Sequence, residues 1–288
     1  MIYMKKDPIK IFLILNIGIC YLLGLLELIL KNGIFYQILG IGFTFIPVMC
    51  VAFSKRITGE KAKYHLSLKV WRNVRAWLFS AIVPGIMVAL GATLYFVIFP
   101  KEYSGIFKYG MRLGSDAELT INNPLALAGV LVLLAAIMVP VQLLELGEEI
   151  GWRGWLLGFQ VEKYGEKKAV LINGIEWGIV HLPLIHFGFN YSLDNPGAPW
   201  TNMLMMVLVC VVLGIIFSYV TIRTENCMYA AIMHGVINVI GELPVFMTPH
   251  MESSLLGPNP TGVIGLMFLI VLAIALFVML KSKLVDKQ

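Results

Sequence analysis

Charge is scarce in this sequence: 14% of its 288 residues are Asp, Glu, Lys or Arg, while 59% are apolar. Soluble chains carry about 25% charged and roughly 45–50% apolar residues, so this one has too little polar surface to cover itself in water. Disorder is excluded as well, because it requires low hydrophobicity and high net charge. Cysteine is sparse too. Cys20, Cys50, Cys210 and Cys227 form no CxxC pair and sit in or beside apolar runs, which predicts small buried thiols rather than disulfides or a metal cage. All four aspartates (Asp7, Asp116, Asp194, Asp286) fall in loops or tails, so no aspartyl dyad is available at membrane depth. Neither HExxH nor GxSxG occurs. The usual zinc-protease helix is therefore missing, and a serine nucleophile is disfavoured.

What the sequence has instead is long apolar runs, near 11–30, 34–53, 77–99, 125–144, 169–187, 203–222, 227–247 and 263–280. Each can span a hydrocarbon core of ~30 Å. They predict an all-α polytopic bundle of about eight transmembrane helices, one integral-membrane domain over 1–288, with both termini on one side. The first run is about 20 residues long with no small-x-small cleavage site, and reads as a membrane helix rather than a removable signal. Of the 22 Lys and Arg, 18 fall on the side of the termini and four, Lys31, Lys101, Lys108 and Arg112, on the other. By the positive-inside rule both termini are expected in the cytoplasm, in the cell membrane. The net charge of +5 then reports basic loops facing a lipid bilayer, not a nucleic-acid partner. Segment 55–75 interleaves basic and apolar residues, and reads equally as an interfacial amphipathic helix or a plain loop. The loops at 100–124, 188–201 and 248–262 are rich in Pro, Gly, Asn and Ser, as external turns should be.

Ionisable groups inside a membrane span are costly, so each is a functional candidate. In or beside the apolar helices lie Glu27, Glu145, Glu148, Glu149, Glu176, His181, His186, His234 and Glu242, with Asn238 and Arg153. At about 100° per residue, Glu149 and Arg153 share a face and can neutralise each other, leaving Glu148 to face a cavity. Glycines 147, 151, 154 and 158 form a stripe that lets a neighbouring helix approach. Trp177 and His181 share a second helical face, and His234 and Asn238 a third. A free acid, an imidazole near it and a paired donor set can activate water and hold an oxyanion. Glu176 and Glu242 read either as acids behind such a site or as charges near helix ends, and His186 and His250 as interfacial or external.

In order along successive helices, Glu-Glu-x-x-x-Arg, aromatic-x-x-x-His and His-x-x-x-Asn resemble the CPBP family. That family contains the type II CAAX prenyl endopeptidases and bacterial relatives linked to bacteriocin processing or self-immunity. The resemblance covers about 145–240, with Trp177 standing where Phe is commoner. It implies a glutamate-dependent intramembrane protease in which Glu148 activates water with help from His181. His234 and Asn238 would stabilise the oxyanion, and Glu149 and Arg153 would support the site. The expected substrate is a membrane-associated peptide or protein, prenylated or lipid-tethered chains included, and no cofactor is expected. Glu148, His181 and His234 form the alternative zinc set, since a catalytic zinc wants three protein ligands and an open position. Two other readings stay open: a non-catalytic immunity or regulatory partner, and a proton-coupled transporter. One helix running from 125 would carry Glu148 about 35 Å along, near the cytoplasmic edge, with His181 deeper. Tilt, a break near Pro140 or a late start, with a cavity facing the cytoplasm, would be needed to bring them together.

Overall fold

The computed structural model describes residues 7–108, 118–121, 123–137, 145–248, 251 and 253–282. In chain order its helices are α1 (Pro8–Leu30), α2 (Ile34–Thr58), α3 (Val74–Ile98), α4 (Pro124–Ile137) and α5 (Leu146–Glu149). A π-helical stretch (Ile150–Leu156) joins α5 to α6 (Leu157–Tyr164), and α7 (Glu166–His186), α8 (Trp200–Thr224), α9 (Met228–Gly241), α10 (Leu243–Phe246) and α11 (Val263–Val278) follow. Among the described residues β1 (Ile106–Lys108) pairs antiparallel with β2 (Glu118–Thr120) in the α3–α4 connection. Among the described residues six helical stretches are long and apolar enough to cross a bilayer, and α4 and α11 are shorter apolar helices. Within the described residues each apolar run read from the sequence falls largely on helix. The protein is an integral, multi-pass helical membrane bundle.

Local chemistry sets the turns. The Asp7 carboxylate accepts hydrogen bonds from the Ile9 and Lys10 amides at 2.9 and 3.4 Å, capping α1. Glu27, buried near the end of α1, accepts from the amides of Gly33 and Tyr36 at 2.9 and 3.3 Å. It closes the α1–α2 turn, so this acid has a structural use. Segment 55–75 is not one amphipathic helix. α2 ends at Thr58, a 3₁₀ turn occupies Val70–Asn73, and the strand-like stretch between them docks on the α8–α9 turn. The His65 amide donates to the Glu225 carbonyl at 2.9 Å, the Cys227 amide to the His65 carbonyl at 3.0 Å, and Asn226 bonds Ser67 in both directions. Within this docked loop burial pushes the Tyr64 phenol up to about 12, and the carboxylates of Glu166, Glu225 and Glu162 add to the shift.

Contacts between helix ends define two ends of the bundle. At one, Lys63 pairs with Glu162 at 2.8 Å and Lys163 with Asp7 at 3.5 Å. There too Glu166 accepts from Arg223 at 3.0 Å and from the Lys281 amide at 2.7 Å. At the other, the Tyr191 hydroxyl donates to the Thr261 carbonyl at 2.9 Å, Asn195 to Ser254 at 2.8 Å, and the Ser104 amide to the Met247 carbonyl at 2.9 Å. The first end carries most of the Lys and Arg. Arg153, assigned to that end from the sequence, instead lies inside the bundle with no exposed surface.

Close helix approaches depend on missing side chains. A methyl group at Gly178 would meet the Val207 Cα on α8 at 2.8 Å, and one at Gly151 would meet the Pro47 Cβ on α2 at 2.5 Å. Gly147, on the same stripe, packs against the Thr44 carbonyl. The stripe predicted from the sequence therefore seats Glu148 against the middle of α2.

Candidate active site

Glu148 and Glu149 are neighbours in α5 with opposite surroundings. Arg153 Nη1 donates to Glu149 Oε1 at 2.9 Å, and neither side chain has exposed surface. His234 Nδ1, brought in by α9, donates to the same oxygen at 2.9 Å. Two donors thus hold one buried carboxylate, which offsets the desolvation an isolated ion would suffer. The guanidinium also lies 4.2 Å from the Trp177 ring centre and 5.2 Å from that of Phe217. A planar delocalised cation suits such a stack.

Glu148 is turned the other way. Its Oε1 accepts from the Trp177 indole nitrogen at 2.7 Å, and its Oε2 lies 4.0 Å from His234 Nδ1. It lines a cavity of about 400 Å³ together with Glu145, Trp177, His181, His234, Asn238 and Glu242. His181 Nδ1 lies 2.8 Å from the Trp177 carbonyl. A carbonyl can only accept, so Nδ1 carries the proton and Nε2 keeps the lone pair in the neutral ring. Phe43 fixes that ring with a centroid distance of 4.4 Å. Asn238, one turn beyond His234, is exposed on the cavity wall.

The structure therefore brings Glu148, His181, His234 and Asn238 to one cavity and leaves Glu149 and Arg153 behind it, the partition expected from helical angles. Three particulars differ from expectation. Glu148 is not at an edge of the bundle: α5 starts at Leu146, and Gly147 next to Glu148 packs on Thr44, ~15 Å along α2 from its start. Residues 138–144, with the anticipated break at Pro140, lie outside the described residues, as does His250. Second, the cavity is in the half of the bundle away from the basic loops, not the half facing them. Third, Glu176 does not line the cavity. It accepts from Gln160 at 2.6 Å, and Gln160 in turn accepts from Asn173 at 3.0 Å, a buried network tying α6 to α7.

Residues 123–240 match the family model described as type II CAAX prenyl endopeptidase Rce1-like. Over this segment the chain is similar to the Rce1-like type II CAAX prenyl endopeptidases. A curated relative named CAAX prenyl protease 2, from Methanococcus maripaludis, is 30% identical over 97 residues, covering 33% of this chain and 36% of the relative. The match thus spans about a third of that relative's length. All six motif residues fall within the Rce1-like segment.

Sequence reasoning missed two members of this candidate site. Trp177 was read as an aromatic on the face of His181, yet its indole hydrogen bonds the acid; the signal was available, since a buried Trp nitrogen usually seeks an acceptor. Glu145 was noted without a role. With Glu148 and His234 it offers donor atoms all within 4.8 Å of one another, a group able to hold a metal ion. His181, included in the zinc set considered from the sequence, is not part of that group.

Proposed function

We propose that the protein is an intramembrane endopeptidase that hydrolyses a peptide bond in a membrane-associated peptide. The observation that carries this reading is the division between adjacent glutamates: Glu149 is tied to Arg153 and His234, while Glu148 faces a cavity with His181 and Asn238. Glu148 takes a proton from water as the water oxygen attacks the scissile carbonyl, and His181 Nε2 orients that water. The Asn238 amide steadies the oxyanion that forms, and His234, as an imidazolium with Nδ1–H on Glu149, donates its Nε2–H as well. The proton held by Glu148 passes to the leaving nitrogen as the carbon–nitrogen bond breaks. Glu149 and Arg153 position His234 and touch neither water nor substrate. The relative's name, a prenyl protease, makes a lipid-tethered peptide the substrate class to try first. Both termini are read as cytoplasmic, in the cell membrane, on the distribution of Lys and Arg.

The scheme uses no metal, because a positioned acid and imidazole suffice to activate water. The test is cleavage of a library of lipidated, membrane-tethered peptides by the purified full-length protein, with Glu148→Gln as control. Glu148→Gln keeps the Trp177 hydrogen bond and should abolish turnover while leaving the melting temperature unchanged; near-normal cleavage would show that the assigned base is wrong. Activity should also survive exhaustive chelation. Loss on chelation with recovery on stoichiometric zinc would make Glu145, Glu148 and His234 ligands instead.

A further inference from the structure

The cavity and the basic loops sit at opposite ends of the molecule. On α2 the cavity is lined by Gly40, Phe43 and Thr44, on α7 by Trp177, His181 and Leu184, and on α9 by His234, Asn238 and Gly241. In each case these residues lie from the helix middle towards the end that carries Tyr191, Ser254 and Met247. α5 and α8 complete the inner wall, and the loops at that same end add Phe189, Asn190, Glu242, Pro260 and Thr261. Phe189, Asn190, Asn238 and Glu242 are exposed there. Towards the basic end the site is sealed. Among the described residues Glu149, Arg153, Trp152, Trp155, Leu156 and Phe217 are fully buried beneath Glu148 and His234, a packed floor between the cavity and the Lys-rich loops.

Lys and Arg mark the cytoplasmic side of a membrane protein. Here they gather at the end marked by the Lys63–Glu162, Lys163–Asp7 and Arg223–Glu166 pairs. We propose that the cavity opens to the non-cytoplasmic face and takes a peptide presented at or in the outer leaflet. That the guest is a peptide rests on the function proposed above; the side of entry does not. A lipidated peptide confined to the cytoplasmic leaflet would have no route to Glu148, so the substrate class narrows to chains exported or tethered on the outer side.

Thiol accessibility tests this without any need for turnover. The four native cysteines are buried, which keeps background low. Single cysteines are introduced in the full-length protein at the mouth (Phe189→Cys), on the cavity wall (Asn238→Cys) and in the basic loop (Lys69→Cys), and intact cells are treated with a membrane-impermeant maleimide. Phe189→Cys and Asn238→Cys should react in intact cells, and Lys69→Cys only after permeabilisation. The reverse pattern would overturn the proposal. So would an Asn238→Cys that stays unreactive while Phe189→Cys is labelled, since the cavity would then not connect to water on that side. Thr261→Cys, on another part of the wall, repeats the measurement where Asn238→Cys yields no folded protein. A failure to find a cleaved peptide leaves this result untouched, so the two readings fail separately.

Discussion

At the residue scale, the site turns on what each buried polar group is bonded to. Arg153 and Glu149 have no exposed surface, and removing one partner of such a pair leaves an uncompensated charge that costs about 3–5 kcal/mol. Arg153→Ala should therefore lower the melting temperature in detergent and the yield of folded protein. Arg153→Lys should restore little, because an ammonium cannot reproduce the stack on Trp177 and Phe217. A variant melting like the parent would show that the pair is not what holds this region. Trp177 gives a subtler prediction. Trp177→Phe keeps an aromatic face under the guanidinium but removes the donor to Glu148. Hydrogen bonds to charged groups contribute about 1.5–3 kcal/mol, so turnover should fall roughly tenfold or more, since 1.4 kcal/mol corresponds to a factor of ten. KM should hold steady if the bond positions the acid rather than the substrate. An unchanged kcat would remove Trp177 from the catalytic arrangement.

At the scale of elements, the short α5 and the π-helical stretch after it are seated by glycine. Gly151→Ala would drive a methyl group into Pro47 of α2, and overpacking of this kind costs typically ~1–3 kcal/mol. Gly18→Ala, where a methyl group meets nothing within 4 Å, should be neutral or slightly stabilising by helix propensity. Comparing the two melting temperatures checks that α5 is held by close approach; equal shifts would refute it. This element also marks the limit of what the sequence made legible. The motifs were readable because Glu149 and Arg153, Trp177 and His181, and His234 and Asn238 each stand at i,i+4, a spacing fixed by helix geometry alone, with Glu148 beside Glu149. The height of Glu148 was not, because an uninterrupted apolar run from 125 to 144 gives no sign that α5 starts at Leu146 against the middle of α2. Trp177 and Glu145 were visible as residues, but their contacts arise only when α5, α7 and α9 pack together. Hydropathy likewise could not decide between a loop and an interfacial helix at 55–75, since the outcome depends on hydrogen bonds to Asn226, about 160 residues away.

For the whole molecule, periodicity and composition were enough for a polytopic helical bundle, because nothing else buries so many apolar runs with so little charge. Which end holds the cavity was beyond them, as it depends on how far along each helix the polar residues fall once packed. The two ends now make the orientation testable as one question. Asp7 at the start of α1 pairs with Lys163, and the Lys281 amide after α11 bonds Glu166, so the chain enters and leaves the bundle at the same end. Reporters fused ahead of Met1 and after Gln288 should therefore read the same compartment, and the excess of Lys and Arg there makes that compartment the cytoplasm. A reporter inserted after Leu193, in the exposed loop between α7 and α8, should read the opposite side. Termini in different compartments would contradict the packing of α1, α7 and α11 at one end. Both termini outside would leave the packing intact but reverse the orientation drawn from charge, and would carry the cavity mouth to the cytoplasm with it.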